Sequence, residues 1–251
     1  MDSSQKPRND SHGISIVIPA FNEEKCLPET LSFINAAQKH IKQEFNIPTE
    51  VIVVDNASTD KTSLVANEFG ARVVRHEVRN ISSVRNAGIK QSSYDLVVTV
   101  DADTYVPLDA FSKIWTEMMT EKFIGGGVRM GIRSNRTHVR FFVSVMEFLM
   151  MKITGISLGM FFFSKDAALK IGGFRETHLA AEDMAFARDL RVYGKTMNKR
   201  FLNLRSVRIL TFDRKNASSK QMFLSLLTGL KVLIGIQPKK EDLDYWYSPK
   251  R

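Results

Sequence analysis

The stretch that most constrains this chain is Val97-Val98-Thr99-Val100-Asp101-Ala102-Asp103. A short run of apolar, β-branched residues reads as a strand buried on both faces of a sheet. It closes on two carboxylates one residue apart, and carboxylates seldom end a buried strand unless they are paired or bound to a cation. An Asp-x-Asp turn at a sheet edge presents hard oxygen ligands that suit Mg²⁺ or Mn²⁺. Taken alone, Asp101 and Asp103 read equally well as the start of a polar turn before Pro107.

The neighbouring stretches decide between these readings. Ile14-Ser15-Ile16-Val17-Ile18-Pro19 is a first strand, with Pro19 expected to stop it because it cannot donate to a ladder. A helix follows with Leu27, Leu31, Ile34 and Ile41 near helical spacing. Val51 to Asp55 is a second strand, again ending in an Asp, followed by a helix holding Leu64, Val65 and Phe69 and stopping at Gly70. Ala71 to Val74 is a third strand, and Ser82-Ser83 is expected to cap a helix through Val84, Ala87 and Ile89. Strand and helix alternating at this spacing imply βαβ units and a mainly parallel sheet flanked by helices. Ligands of such sheets bind beyond the carboxyl ends of the strands. The loop after Pro19, Asp55, and the pair Asp101 and Asp103 all fall at those ends, so three strands deliver polar groups to one edge.

The second half is less regular. A helix is expected from Pro107 through Ile114, Trp115 and Met118, then a bend or close backbone approach at Gly125-Gly126-Gly127. Arg140 to Ile153 reads as a helix rich in Phe and Met, Leu158 to Phe163 as a strand, Gly172-Gly173-Phe174 as a turn, and Ala180 to Phe186 as a helix start. Val207 to Leu210 reads as a strand and Ser219 to Ile236 as a final amphipathic helix. The expected division is a disordered leader over 1–12, a main domain over 13–215 split into halves 13–105 and 106–215, and a helix and tail over 216–251.

With 43% apolar and 25% charged residues among 251, the chain has the composition of a globular protein with a core. A single Cys26 excludes an internal disulfide framework and a multi-Cys zinc site, and fits a reducing, cytoplasmic setting. The 36 basic and 27 acidic residues leave a net charge of +9, which favours polyanions: nucleic acid, anionic headgroups or phosphorylated small molecules. No basic run is interleaved with aromatics, so nucleic acid is the least favoured of these. No stretch is long enough and uncharged enough to span a bilayer, since Glu147 and Lys152 interrupt 141–163 and Lys231 interrupts 222–236. The apolar helices around Phe141 to Met151 and Met222 to Ile236 are expected to pack in the core, with an interfacial position as the alternative.

The blocks Ile18-Pro19-Ala20-Phe21-Asn22-Glu23-Glu24, Val53 to Asp60, Arg85-Asn86-Ala87-Gly88 and Asp101-Ala102-Asp103, in this order and spacing, resemble the family 2 glycosyltransferases. Those are inverting, GT-A enzymes that use nucleotide-sugar donors. The resemblance is close over about residues 14 to 105. Further on, Gly172-Gly173-Phe174 and Glu182-Asp183 fall where that family has its acceptor-side turn and acidic catalytic motif. It implies a nucleotide-sugar pocket formed by Pro19, Ala20, Phe21, Asn22, Glu23, Asp55, Ser58, Arg85, Asp101 and Ala102, with Arg85 beside the nucleotide and within reach of a phosphate. It implies a divalent metal, Mn²⁺ or Mg²⁺, at Asp103 with Asp101, and Asp183 as general base with Glu182 as its neighbour. It also implies transfer of one sugar to a sugar or lipid-linked acceptor, and leaves open peripheral contact with an anionic membrane surface on its inner face.

Each role has a plainer competitor: Asp55 as a cap, Glu182 and Asp183 as first-turn helix acids, Arg85 as a solvated helix charge. The Gln-x-x-Arg-Trp motif of the family's processive synthases does not occur here, which points to single-sugar transfer. Leu210-Thr211-Phe212-Asp213-Arg214-Lys215 is the candidate substitute, with Arg214 and Lys215 reaching the diphosphate or an acidic acceptor. Two other functions compete: a catalytically inactive nucleotide- or carbohydrate-binding subunit of the same fold, and a sugar-phosphate nucleotidyltransferase. The latter usually carries a Gly-rich basic loop where this chain has Phe21-Asn22-Glu23-Glu24.

Overall fold

The apolar runs of the first hundred residues lie side by side, as their alternation requires. In the computed structural model, residues 11–157, 159–177 and 182–213 are described. Strand β1 (Ile14–Ala20) is followed by α1 (Leu27–Phe45), β2 (Thr49–Asp55), α2 (Thr62–Glu68), β3 (Arg72–Arg75), α3 (Ile81–Gln91), β4 (Leu96–Thr99) and β5 (Thr104–Tyr105). The second half adds α4 (Ala110–Met118), β6 (Phe123–Arg133), α5 (Thr137–Thr154), β7 (Phe161–Ser164), α6 (Lys165–Lys170), α7 (Glu182–Thr196) and β8 (Arg200–Phe212). The eight strands form one sheet in the order β3-β2-β1-β4-β7-β6-β8-β5.

The pairs β1–β2, β2–β3 and β1–β4 are parallel, as is β6–β8. Antiparallel β7 joins the two parallel groups, and β5 pairs antiparallel with β8. Ile14, Ile16 and Ile18 pack into one core layer with α1 and α4, and Val17, Val54 and Val97 pack into the other with α3, α6 and α7. Both faces of the central strands are therefore buried, and functional groups are left to the strand ends.

Several boundaries differ from the sequence expectation for physical reasons. Strand β1 runs one residue past Pro19, which pairs with Val54. Val17 accepts from the Val100 N–H, so residue 19 faces the same neighbour, beyond the last β1–β4 rung at Val17↔Thr99. The N–H that proline lacks is not needed there. Helix α3 is capped by Asn80, whose Oδ1 accepts the Ser83 N–H at 3.0 Å, so Ser82 and Ser83 sit inside the first turn. Helix α4 begins three residues after Pro107, at Ala110. Leu64 on α2 is exposed, and Thr62 and Ala66 are its buried positions. Leu158 is outside the described residues, and β7 starts at Phe161 rather than there.

The glycine triplet is strand rather than bend. A Cβ on Gly126 would lie 2.2 Å from the Leu202 carbonyl oxygen, and one on Gly127 2.1 Å from that of Ser157. Close backbone approach is the reason for the glycines, and a register shift between Phe123 and Gly125 accompanies it. Helix α5 departs most from expectation: Val139 is its single buried residue, and Phe141, Val145, Phe148, Leu149 and Ile153 are exposed. It is not a core helix. Among the described residues no helix is long and apolar enough to cross a membrane. The leader's first ten residues, Ala180 and Ala181, Arg214 and Lys215, and the helix expected at Ser219 to Ile236 lie outside the described residues.

Candidate active site

The loops after β1 and β2 meet at the carboxyl edge of the sheet and lock together. The Asn22 N–H donates to Ser58 Oγ at 3.0 Å, and Asn22 Oδ1 accepts the Thr59 N–H at 2.8 Å. The Glu23 N–H donates to Thr62 Oγ1 at 2.8 Å, and the Glu24 N–H to Asp60 at 3.1 Å. Asn22 and Ala57 both have left-handed backbone, φ 54° and 56°. For alanine that conformation costs about 1–2 kcal/mol, a strain that the surrounding bonds must hold.

Asp55, 1% exposed, accepts the Ser58 N–H at 2.9 Å, the Ser63 hydroxyl, and Arg75 Nη1 at 3.4 Å. Burial pushes its carboxyl up, but these donors outweigh burial and the net shift is downward. It organises the turn rather than capping α2, whose N-cap is Lys61. Phe21 stands half-exposed at the mouth with the Arg79 guanidinium 4.5 Å from its ring centre. Pro19, Ala20 and the Glu23 side chain are buried beneath it.

The Asp-x-Asp turn is held from below by a residue that the sequence reading missed. Thr30, fully buried on α1, donates its hydroxyl to the Ala102 carbonyl at 2.9 Å and accepts the Thr104 N–H at 3.0 Å. Its trace in the sequence is a polar residue on the apolar face defined by Leu27, Leu31 and Ile34. Asp101 projects outward with its side chain 57% exposed, whereas Asp103 is buried and its carbonyl accepts the Phe212 N–H at 2.9 Å. The end of β8 therefore lies against Asp103. Next to it, Asp213 is held by Arg136 at 2.9 Å and by Ser134.

Arg85 is not a solvated helix charge: its side chain is 8% exposed and lies between three carboxylates, one of them Asp101 of the Asp-x-Asp turn. Nη1 donates to Asp183 Oδ1 at 2.6 Å and Glu182 at 3.0 Å, and Nη2 to Asp101 at 3.1 Å. The guanidinium also faces the Phe174 ring, 5.2 Å from its centre, and Phe174 stacks on Phe186.

The rest of the Arg85-Asn86-Ala87-Gly88 block has equally concrete tasks. Asn86 accepts the Phe174 N–H and donates to the Phe174 carbonyl, both at 2.8 Å, which fixes the Gly172-Gly173-Phe174 turn. Gly173 has φ +73°, and a Cβ there would lie 2.3 Å from Asn86 Oδ1. A Cβ on Gly88 would lie 2.2 Å from Val17, so glycine lets α3 seat directly on β1.

Glu182 and Asp183 are in the first turn of α7, as expected, and Arg85 joins them to Asp101 from 98 and 16 residues away. Burial is the largest influence on the Asp183 carboxyl, whose net shift is upward, to about 7. Arg85 pulls it down, and the neighbouring charges of Glu182 and Asp101 push it further up. One guanidinium against three carboxylates leaves an excess of negative charge when all are ionised, a setting that accepts a cation. Among the described residues no group of three or more His, Cys, Asp or Glu is placed to hold a metal. Such an ion would be held by one or two carboxylates with the remaining positions filled by a phosphorylated ligand or water, the usual manner of Mg²⁺.

The open α/β sheet, with carboxylates gathered beyond its parallel strand ends, has the GT-A fold of known glycosyltransferase structures. Residues 15–172 match the family described as Glycosyl transferase family 2, and the chain belongs to that family. The undecaprenyl-phosphate 4-deoxy-4-formamido-L-arabinose transferase of Pseudomonas fluorescens is 28% identical over 155 residues, covering 59% of this chain and 44% of that protein. The chain thus spans about half the length of curated relatives that it matches. Among solved structures, mannosyltransferase PcManGT from Pyrobaculum calidifontis, in complex with GDP-Man and Mn²⁺, superposes with TM-score 0.63 at 17% identity, over 95% of this chain and 70% of that one. S. aureus TarS 1-349 in complex with UDP-GlcNAc gives 0.60 at 20% identity, over 95% and 74%.

Proposed function

We propose that this chain is an inverting glycosyltransferase that moves one sugar from a nucleotide-diphosphate sugar to the hydroxyl of a lipid-linked or glycan acceptor, with Asp183 as general base. The observation that carries this reading is the Arg85 cluster, which joins the Asp-x-Asp turn to the acidic pair of α7 with Asp101 and Asp183 partly exposed. A cleft that holds donor-side and acceptor-side carboxylates within reach of one guanidinium suits a reaction between two bound substrates.

In this reading the nucleotide lies across the locked loops, over Phe21 and beside Asp55, Ser58, Asn22 and Glu23. Asp103 and Asp101 would hold a divalent ion, which supplies charge neutralisation at the leaving diphosphate. Arg85 uses Oδ1 of Asp183, and the Asp183 side chain keeps 30% exposure. Its carboxylate takes the proton of the acceptor hydroxyl as that oxygen bonds to the anomeric carbon. The bond from that carbon to the diphosphate breaks, and its electron pair leaves with the diphosphate. Inversion follows from attack on the face opposite the leaving group.

The lipid branch draws on the similarity to a transferase named for undecaprenyl phosphate and on the chain's net charge of +9. On a lipid phosphate the attacking atom would be a phosphate oxygen, and Asp183 would serve as base where the acceptor is a hydroxyl. A lipid-linked acceptor would place the chain on the cytoplasmic face of a membrane. The test is calorimetric binding of UDP and GDP, each with and without Mn²⁺, to wild type and Asp103→Ala. One nucleotide is expected to bind with Mn²⁺ and to be lost in the variant. Absence of binding under every condition overturns the reading and favours a degenerate binding module.

A further inference from the structure

Helix α5 is apolar on the side turned to solvent. At 100° per residue, Phe141, Val145, Phe148, Leu149, Lys152 and Ile153 fall within an arc of about 140°, and all six are exposed. The inner side is half-buried on the sheet through Val143, Met146 and Met150, with Val139 fully buried. A helix that is apolar nearly all round requires a second apolar partner.

The charges identify what that partner is. Glu147 is the helix's only acid, and it turns inward, 10% exposed, to Arg129 at 3.0 Å and Arg208 at 3.8 Å. Lys152 lies within this exposed arc, its ammonium riding over the Phe148 ring at 5.5 Å, and exposed Arg140 lies on the flank, about 80° beyond Phe148. A second copy of this face would bring Lys152 no acid, since the helix's one acid, Glu147, is held inward by Arg129 and Arg208. The chain's own apolar stretch 216–236 contains Lys220 and Lys231 and no Asp or Glu, so it offers Lys152 and Arg140 no counter-charge either. An apolar layer bordered by anions does.

We propose that α5 is a membrane-docking helix, its Phe141–Phe148–Ile153 stripe seated among acyl chains and Arg140 and Lys152 at the phosphates of an anionic bilayer. The helix begins beside the cleft: Arg136, immediately before it, is bound to Asp213, and the adjacent Phe212 N–H donates to the Asp103 carbonyl. Docking through α5 therefore brings the Asp-x-Asp edge to the lipid surface. This deepens the lipid-linked branch of the function proposed above and rests on it only for its purpose.

The test is flotation of the full chain with phosphatidylcholine vesicles, with and without phosphatidylglycerol. Wild type is expected to bind only the phosphatidylglycerol-containing vesicles, and less with added salt. Phe141→Glu/Phe148→Glu is expected to weaken binding by about tenfold or more, and Arg140→Gln/Lys152→Gln by roughly fivefold per charge with a shallower salt dependence. These positions are exposed, so both variants should keep the wild-type melting temperature. Equal binding of wild type and the glutamate variant overturns the proposal. So does a wild type that ignores vesicles while the glutamate variant either disrupts a dimer in sedimentation or lowers the melting temperature, which would assign the stripe to a second copy or to 216–236. Vesicle binding is read without nucleotide, so a failure here and a failure of UDP and GDP binding are separate results.

Discussion

Arg85→Gln removes the cation that holds Asp183, Glu182 and Asp101 together. Taking one partner from a buried ion pair costs about 3–5 kcal/mol, because the remaining charge is left desolvated. Asp101 is 57% exposed and will rehydrate, so the loss comes from Asp183 and Glu182, at 30% and 14% exposure, and about 3 kcal/mol is the reasonable figure. That corresponds to a fall in Tm of roughly 6–12 °C for a chain of this size. The pH dependence follows from linkage. Asp183 is already raised by burial in the folded protein, and Arg85 is what lowers it. Without Arg85 it rises further, so the folded variant keeps a proton that the unfolded chain gives up. Stability of the variant therefore falls as pH climbs from the ordinary Asp value through the raised one. Urea denaturation of wild type and variant at about pH 5 and pH 8 reads this directly. The gap should be smaller at the lower pH, where Asp183 is protonated, and largest at the higher. A gap below about 1 kcal/mol at pH 8, or one of equal size at both pH values, would refute the view that Arg85 compensates buried carboxylate charge.

Other outcomes follow from the same geometry. Asp183→Asn should cut transfer by about 10²- to 10⁴-fold while nucleotide binding by calorimetry stays at the wild-type level, and survival of full turnover would remove Asp183 from the base role. In wild type, transfer should rise with pH through about 7, since the base works deprotonated and its carboxyl is pushed up; a flat profile below that value would contradict the assignment. Thr30→Val keeps the side-chain shape but orphans the Ala102 carbonyl and the Thr104 N–H, at about 2–4 kcal/mol in denaturation, and should weaken Mn²⁺-dependent nucleotide binding as the Asp-x-Asp turn loosens. Gly127→Ala puts a methyl 2.1 Å from the Ser157 carbonyl oxygen and should cost about 1–3 kcal/mol by thermal melting, whereas a wild-type melt would mean that Gly127 and Ser157 are not in close contact.

The sequence alone determined the alternation of elements and the edge on which the site lies. Strand and helix periodicities differ, and a parallel sheet puts every loop that follows a strand on the same side, so Phe21, Asp55, Asp101 and Asp103 had to converge there. Local chemistry also carried the first turn of α7 with Glu182 and Asp183. Tertiary structure decided everything that joins residues far apart in the chain. Arg85 meets Glu182 and Asp183 across 97 and 98 residues, and Thr30 holds the Ala102 carbonyl across 72. No spacing rule reaches that far, and a lone Arg or Thr on a helix has many possible neighbours. Whether the apolar side of α5 is core or surface was equally illegible. That depends on which flank of β6 the rest of the fold leaves uncovered, a matter of packing in three dimensions rather than of hydrophobic pattern in one.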